Sequence, residues 1–188
     1  MTTRDIVFIA LFAAFMAVLG VFPPLLIPGL GIPITAQSLG PMILGGVLGA
    51  KRGTLAMLLF LALVAVGLPL LSGGRGGLAP FVGPWSGFIY GWIAATFLIG
   101  LLTERFWRKI NLVSAFLISV AGGIGVVYLI GVPWFSFVSG TGLAEAFMGS
   151  MIAFIPGDLV KAGIAAAAVT LVKTSYPLIS PRLDNRAR

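Results

Sequence analysis

The chain alternates between long apolar stretches and short clusters of charge. Its uncharged intervals are residues 6–50, 53–74, 76–103 and 110–144. A membrane-spanning helix needs about 20 apolar residues, so each interval is long enough for at least one span. The first interval is long enough for two spans, which the proline and glycine residues between positions 23 and 33 would separate.

This pattern predicts six transmembrane helices in a single bundle that occupies the whole of residues 1–188. We expect the third helix to end near Leu71 and the fourth to start near Phe81. The fifth is expected to break at Gly131-Val132-Pro133 and to continue into a loop rich in Ser and Gly. The sixth runs to Lys173. The predicted fold class is an all-α integral membrane protein.

Composition supports the same class. Of 188 residues, 59% are hydrophobic and 9% are charged, and the mean hydropathy is +1.12, whereas soluble domains carry roughly a quarter charged residues. Cysteine and histidine are absent, which removes thiol nucleophiles, imidazole bases and the usual transition-metal sites. No metal or cofactor is predicted. The sequence has no phosphate-binding loop, so energy from a nucleotide would have to come from partner proteins.

The basic residues predict the orientation of the bundle, because Lys and Arg concentrate in cytoplasmic segments. With a cytoplasmic N-terminus, ten of the twelve Lys and Arg residues fall at cytoplasmic ends: Arg4, Lys51, Arg52, Arg105, Arg108, Lys109, Lys173, Arg182, Arg186 and Arg188. Both termini are therefore expected in the cytoplasm. The net charge of +7 is explained by the placement of Lys and Arg on the cytoplasmic side of the bilayer, so no nucleic-acid partner is needed to account for it.

Two opposite charges, Asp158 and Lys161, interrupt the last apolar run. A charge at the centre of a membrane helix costs about 2.5 to 3.5 kcal/mol on insertion scales, so a compensating interaction is required. Three residues apart on a helix, they share a face, and we expect Pro156 in the first turn of that helix. At 1.5 Å per residue, Asp158 lies roughly 22 Å from Lys173, in the outer half of the membrane. The pair forms either the floor of a small-molecule site or an ion pair that only fixes helix packing.

Arg75 lies on the same outer side, in the loop Ser72-Gly73-Gly74-Arg75-Gly76-Gly77. Glycine lets the backbone fold tightly over a ligand, and the planar guanidinium group matches a carboxylate. The loop is either part of a binding site or a flexible external connection with an incidental arginine.

The segment after this loop combines small and aromatic residues. Gly83, Gly87 and Gly91 recur every four residues and allow close approach of a neighbouring helix or a flat ligand. Trp85 and Tyr90 either line a pocket for an apolar ring or anchor the helix at the membrane interface.

Two further features have open interpretations. Gln37, at the outer start of the second helix, either binds ligand or satisfies backbone groups near the Pro/Gly loop. The first helix has two small-residue pairs, Ala10/Ala14 and Ala13/Ala17, on adjacent faces. Such pairs mark close contacts, either within the bundle or with another protein.

Taken together, the motifs resemble the biotin-specific substrate-binding subunit, or S component, of energy-coupling factor (ECF) vitamin transporters, the BioY family. The matching segments span nearly the whole chain in order: Pro33-Ile34-Thr35-Ala36-Gln37, Gly67-Leu68-Pro69, Gly73-Gly74-Arg75-Gly76-Gly77, Gly83-Pro84, and Pro156-Gly157-Asp158-Leu159-Val160-Lys161. The resemblance implies a six-helix bundle in the plasma membrane of a prokaryote, with an outward-facing pocket for biotin.

The resemblance also implies roles for individual residues. Asp158 would accept hydrogen bonds from the ureido ring of biotin, and Lys161 and Arg75 compete for its carboxylate. One of the alanine pairs on the first helix would dock on a transmembrane coupling subunit that two ATPases drive. Self-association would replace these partners if the protein works alone.

Three other functions fit the residues. The chain could be an S component for a different vitamin, a small membrane enzyme with Asp158 as general base and Lys161 tuning it, or a purely structural subunit. The last would tolerate apolar replacement of both charges.

Overall fold

The fold is a bundle of helices, seen in a computed structural model that describes residues 1–26 and 33–179. The predicted all-helical class is confirmed, and the described strands are two residues long and pair antiparallel. The elements in chain order are α1 (Thr3–Val21), β1 (Leu25–Leu26), β2 (Pro33–Ile34), α2 (Leu39–Ala65), α3 (Ser86–Arg105), α4 (Leu112–Val120), α5 (Val127–Ser139) and α6 (Leu143–Ser175). Most of the predicted Pro/Gly loop, residues 27–32, lies outside the described residues.

Five helices in the described ranges are long and apolar enough to cross a membrane, where the sequence predicted six. They are Thr3–Val21, Ala36–Ala65, Ser86–Arg105, Leu112–Ser139 and Leu143–Ser175. The difference arises in α2, which contains both the second and the third predicted helices.

The chain reverses direction inside α2, at Gly49. This residue has φ 83° and ψ −179°, a backbone conformation that favours glycine. A Cβ atom on Gly53 would lie 2.5 Å from the carbonyl oxygen of Leu44, although nine residues of straight helix span about 13.5 Å. Two arms, Leu39–Leu48 and Ala50–Ala65, therefore lie side by side. Glu104 on α3 accepts a hydrogen bond from the Ala50 N–H group at 2.8 Å and so satisfies a donor at the reversal.

The two proline-based boundary predictions are wrong. The chain is helical from Leu112 to Ser139, with a π-helical turn at Ala121–Val126 joining α4 to α5 and Pro133 inside α5. Pro156, predicted in a first turn, lies in the middle of α6. Proline is tolerated in membrane helices because neighbouring helices and local adjustments satisfy the backbone groups it frees.

A 20-residue connection separates α2 from α3, and we call residues 66–85 the cap loop. The predicted boundaries near Leu71 and Phe81 made both helices too long, since α2 ends at Ala65 and α3 begins at Ser86. The loop has its own internal bonds: Leu71 and Arg75 form an isolated antiparallel bridge, and Ala79–Phe81 form a 3-10 turn.

At the opposite end of the bundle, the N-terminus, the Gly49 reversal and the end of α6 meet. Asp5 forms an ion pair with Arg52 at 2.7 Å, and the Lys173 ammonium donates to the Ile110 carbonyl at 2.7 Å. We call this the basic end because seven of the predicted cytoplasmic cations lie there: Arg4, Lys51, Arg52, Arg105, Arg108, Lys109 and Lys173. The other three, Arg182, Arg186 and Arg188, lie outside the described residues.

Candidate functional site

A cavity of about 520 Å³ lies between the cap loop, the 3-10 turn that precedes α2, and helices α3, α5 and α6. Its volume is in the usual range for small-molecule sites. The polar or charged side chains in its wall are Thr35, Gln37, Ser38, Arg75, Tyr128, Asp158 and Lys161, and the aromatic ones include Trp85, Phe88, Trp92 and Phe154. A mainly apolar cavity with a few convergent polar groups is the usual form of a ligand site.

The two charges predicted from α6 lie together in the cavity wall. The Lys161 ammonium is 2.9 Å from Asp158 Oδ1 and donates a second hydrogen bond to Ser38 Oγ at 2.7 Å. Ser38 in turn donates to the same Asp158 oxygen at 3.1 Å. Asp158 is only 4% exposed. These three side chains share two hydrogen bonds and an ion pair, which offset the loss of hydration of both charges.

Tyr128 completes this cluster, and sequence reasoning missed it. Its hydroxyl group donates to Asp158 Oδ2 at 2.8 Å. It is the second residue of α5, directly after the π-helical turn, and is buried. A hydroxyl group in the middle of an uncharged membrane span was the available signal, because such a group needs a polar partner in lipid. We call Ser38, Tyr128, Asp158 and Lys161 the polar cluster.

Arg75 lies in the cap loop and lines the same cavity. Its Nε donates to the Ser72 carbonyl oxygen at 3.1 Å, and the residue is exposed. Within residues 1–26 and 33–179, no carboxylate lies within ion-pair distance of its guanidinium group. Gly73, Gly74 and Gly77 all have positive φ values, so the tight path of this loop depends on glycine.

The glycine and aromatic residues around the start of α3 divide between two roles. Trp85 and Gly83 line the cavity, and the Trp85 ring stacks on Phe135 with centroids 4.5 Å apart. Tyr90 is not among the cavity residues. Its hydroxyl group donates to the Phe81 carbonyl, and its ring packs edge-on against Trp134.

The rest of the glycine stripe serves helix packing. A Cβ atom on Gly87 would lie 2.3 Å from Trp134 Cβ, and one on Gly91 would lie 3.0 Å from Val127 Cα. Helices α3 and α5 therefore approach too closely for a side chain at Gly87, and a side chain at Gly91 would make a very tight contact.

Gln37 lines the cavity but is 1% exposed and bonded to backbone groups. Its amide nitrogen donates to the carbonyls of Met16 at 3.1 Å and Leu70 at 2.9 Å. Its oxygen accepts from the Ser72 N–H group at 2.8 Å. Gln37 was predicted either to bind ligand or to satisfy backbone groups, and these contacts are of the second kind.

The alanine pairs of α1 lie on differently exposed faces. Ala13 is buried and Ala17 is half-buried, whereas Ala10 and Ala14 are exposed. The Ala13/Ala17 pair packs within the bundle, and the Ala10/Ala14 pair is open to lipid or to another protein.

Comparison with known proteins identifies the family. The model of the BioY family matches residues 1–178. The chain belongs to the BioY family. With five apolar helices able to cross a membrane in its described ranges, this BioY protein is a multi-pass membrane protein.

Individual BioY relatives are similar over nearly their full length. "Biotin transporter BioY" of Rhizobium etli is 50% identical over 187 residues, covering 97% of this chain and 100% of the relative. The Rhodobacter capsulatus protein of the same name is 45% identical and the match covers 93% and 95% of the two chains. A solved structure, the "S-component for biotin from an ECF-type ABC transporter", superposes with a TM-score of 0.89 at 33% identity, covering 95% of this chain and 97% of the other.

In this BioY chain, the described residues contain no group of three or more His, Cys, Asp or Glu side chains that could hold a metal ion. The chemistry of the cavity is therefore that of hydrogen bonds, one ion pair and aromatic surface.

Proposed function

We propose that the protein is the biotin-binding S component of an ECF vitamin transporter and that it captures biotin in the cavity of about 520 Å³. It is a transport protein and not an enzyme, which sets aside the general-base role for Asp158. The observation that carries the proposal is the hydrogen-bonding capacity that the polar cluster leaves open toward the cavity.

That capacity follows from counting donors and acceptors. Each carboxylate oxygen accepts about two hydrogen bonds and an ammonium group donates three. In the described part of the chain, Asp158 Oδ1 accepts from Lys161 and Ser38, while Oδ2 accepts from Tyr128 alone. Lys161 uses two of its three N–H groups. One acceptor position on Asp158 Oδ2 and one donor on Lys161 therefore remain unused by the described residues.

An N–H group next to a carbonyl matches this pair. The ureido ring of biotin has that arrangement, so its N–H group would donate to Asp158 Oδ2 and its carbonyl would accept from Lys161. Riboflavin also contains an imide edge, but its three-ring system is much larger. Trp85, Phe88 and Phe154 supply apolar surface for the bicyclic ring and the alkyl chain.

Arg75 is proposed to bind the carboxylate of biotin. It is exposed at the cap loop, and the described carboxylates leave its guanidinium group without an ionic partner. Arginine binds carboxylates with two parallel hydrogen bonds. Lys161 is already committed to Asp158, so Arg75 is the better candidate of the two predicted residues.

For the membrane topology, we propose six membrane-embedded helices with both termini in the cytoplasm, counting the two arms of α2 separately. The whole chain then forms one substrate-binding unit in the plasma membrane. The basic end faces the cytoplasm, and the cap loop and cavity face outward. Asp158 lies about 22 Å from Lys173 along the continuous helix α6, in support of an outward-facing site.

A coupling subunit and two ATPases are proposed as partners, with self-association as the alternative. The exposed face of α1 supports a docking site at Ala10 and Ala14, because neither residue packs within the bundle. Ala13 faces the core, which makes the Ala13/Ala17 pair the weaker candidate for docking.

A competition panel on the purified protein tests the ligand. We expect biotin to bind with a Kd below about 1 µM and riboflavin and thiamine not to compete, as measured by titration calorimetry. Mass spectrometry of any co-purified ligand gives an independent answer. Micromolar or weaker biotin binding at neutral pH, or tighter binding of another vitamin, would overturn the proposal.

A further inference from the structure

Gln37 joins three parts of the molecule that the ligand site depends on. Its amide nitrogen links the main chain of α1, at Met16, to the cap loop, at Leu70. Its amide oxygen holds the N–H group of Ser72 in the same loop. Both amide hydrogens and one acceptor position are occupied, so little capacity remains for direct ligand binding.

A second contact strengthens the same connection between α1 and the cap loop. The Ser72 hydroxyl group donates to the Phe22 carbonyl, just beyond the end of α1, at 2.8 Å. A Cβ atom on Gly20 would lie 2.1 Å from the Leu70 oxygen and 2.8 Å from the Gln37 amide nitrogen. Glycine at position 20 is therefore required for the loop to lie this close to α1.

From Ser72 the connection continues to Arg75. The Arg75 Nε donates to the Ser72 carbonyl at 3.1 Å, and the backbone groups of Leu71 and Arg75 exchange hydrogen bonds at 3.0 and 3.1 Å. All three bonds lie within a five-residue turn, so a shift of Ser72 would also move Arg75.

The other side of Gln37 leads to the polar cluster. Ser38, the next residue in the same 3-10 turn, contacts both Asp158 and Lys161. One short turn thus contacts the polar cluster directly and also contacts the cap loop that carries Arg75.

We propose that Gln37 is a positioning residue that braces the cap loop against α1 and so fixes Arg75 relative to the polar cluster. It acts on the ligand through Arg75 and does not bind it directly. The proposal rests on the proposed function, because biotin binding is its readout.

The test compares biotin with its methyl ester, which lacks the carboxylate charge, on the purified protein and on Gln37→Leu. Loss of the brace is expected to weaken biotin binding about tenfold, the size of one or two buried hydrogen bonds, and to change ester binding less than about twofold. Gln37→Leu/Arg75→Ala should bind biotin no more weakly than Arg75→Ala alone. Hydrogen exchange at the Leu71 and Arg75 amides should become faster.

Equal loss for both ligands, additive effects with Arg75→Ala, or no loss for either ligand would overturn the positioning role. If Gln37→Leu does not fold, Ser72→Ala removes the bond to Phe22 and is expected to show the same selective loss for biotin, with the same outcomes counting against it. Thr103→Val, a buried polar replacement on α3 at the basic end, serves as the control and should leave both affinities unchanged. Failure of the parent protein to bind biotin would instead contradict the proposed function.

Discussion

Within residues 1–26 and 33–179, two carboxylate–cation pairs have similar distances but differ in burial. Asp5 and Arg52 are 2.7 Å apart at the basic end, with side chains 15% and 35% exposed. Asp158 and Lys161 are 2.9 Å apart in the cavity wall, with side chains 6% and 14% exposed. The first pair links α1 to α2 and lines a separate cavity at the basic end, whereas the second lies in the wall of the cavity beneath the cap loop.

The difference in burial shows which pair carries the larger desolvation cost. An ion pair near water costs little to form and contributes little, because both states are solvated. Burying two charges carries a desolvation penalty that their attraction only partly offsets, and apolar residues of similar size often give equal stability. Ser38 and Tyr128 compensate Asp158, but retention of the buried pair is best explained by the ligand site it forms.

Removing both buried charges gives the largest expected effect. In Asp158→Leu/Lys161→Met, biotin binding should be abolished, whereas the thermal midpoint of the purified protein should stay the same or rise, because no unpaired charge is left behind. Calorimetric titration and thermal unfolding in detergent measure the two quantities. Biotin binding within threefold of the parent would mean that the pair only fixes helix packing.

Asp158→Asn should weaken biotin binding by at least about 100-fold. The substitution leaves Lys161 buried without its counter-charge and replaces an acceptor by an amide, and breaking a buried pair in this way costs roughly 3 to 5 kcal/mol. Titration calorimetry measures the change in Kd.

The matched control is Asp5→Asn, the same chemical change in the less buried pair. We expect its biotin affinity to equal that of the parent. A similar loss in both variants would show that the two pairs do not differ in the way their burial indicates.

Tyr128→Phe should have the smallest effect, a loss of about fivefold in biotin affinity. It removes one of the hydrogen bonds that the Asp158 carboxylate accepts and leaves both charges in place. Tyr90→Phe removes a hydroxyl group that bonds to the Phe81 carbonyl outside the cavity, and its affinity should change less than twofold. Equal losses in the two variants would contradict the assignment of Tyr128 to the polar cluster.

The features that were predictable from sequence are those in which charge interrupts apolar segments. Asp158 and Lys161 stand out because charge is costly in lipid, and the cations of the basic end stand out for the same reason. Long apolar runs identified the helices themselves.

Features that depend on which helix face points inward were not predictable. Lipid is as apolar as the bundle core, so no difference in hydrophobicity separates the inward-facing Tyr128 from Tyr90. The boundary between the second and third helices was predictable, because Lys51 and Arg52 interrupt the apolar run, but the reversal at Gly49 without an intervening loop was not. From sequence, Pro133 and Pro156 indicate helix ends, because proline usually ends a helix in a soluble protein. In a membrane bundle, neighbouring helices satisfy the backbone groups that proline frees, so the helix continues.

The reversal at Gly49 has a consequence for biosynthesis. The arm Leu39–Leu48 is about 15 Å long, half of the ~30 Å hydrocarbon core, so it is too short to insert as an independent segment. In the proposed topology, both arms of α2 would then leave the translocon as one hairpin, with Lys51 and Arg52 on the cytoplasmic side. A ribosome paused before residue 65 would hold a nascent chain with only α1 in the bilayer.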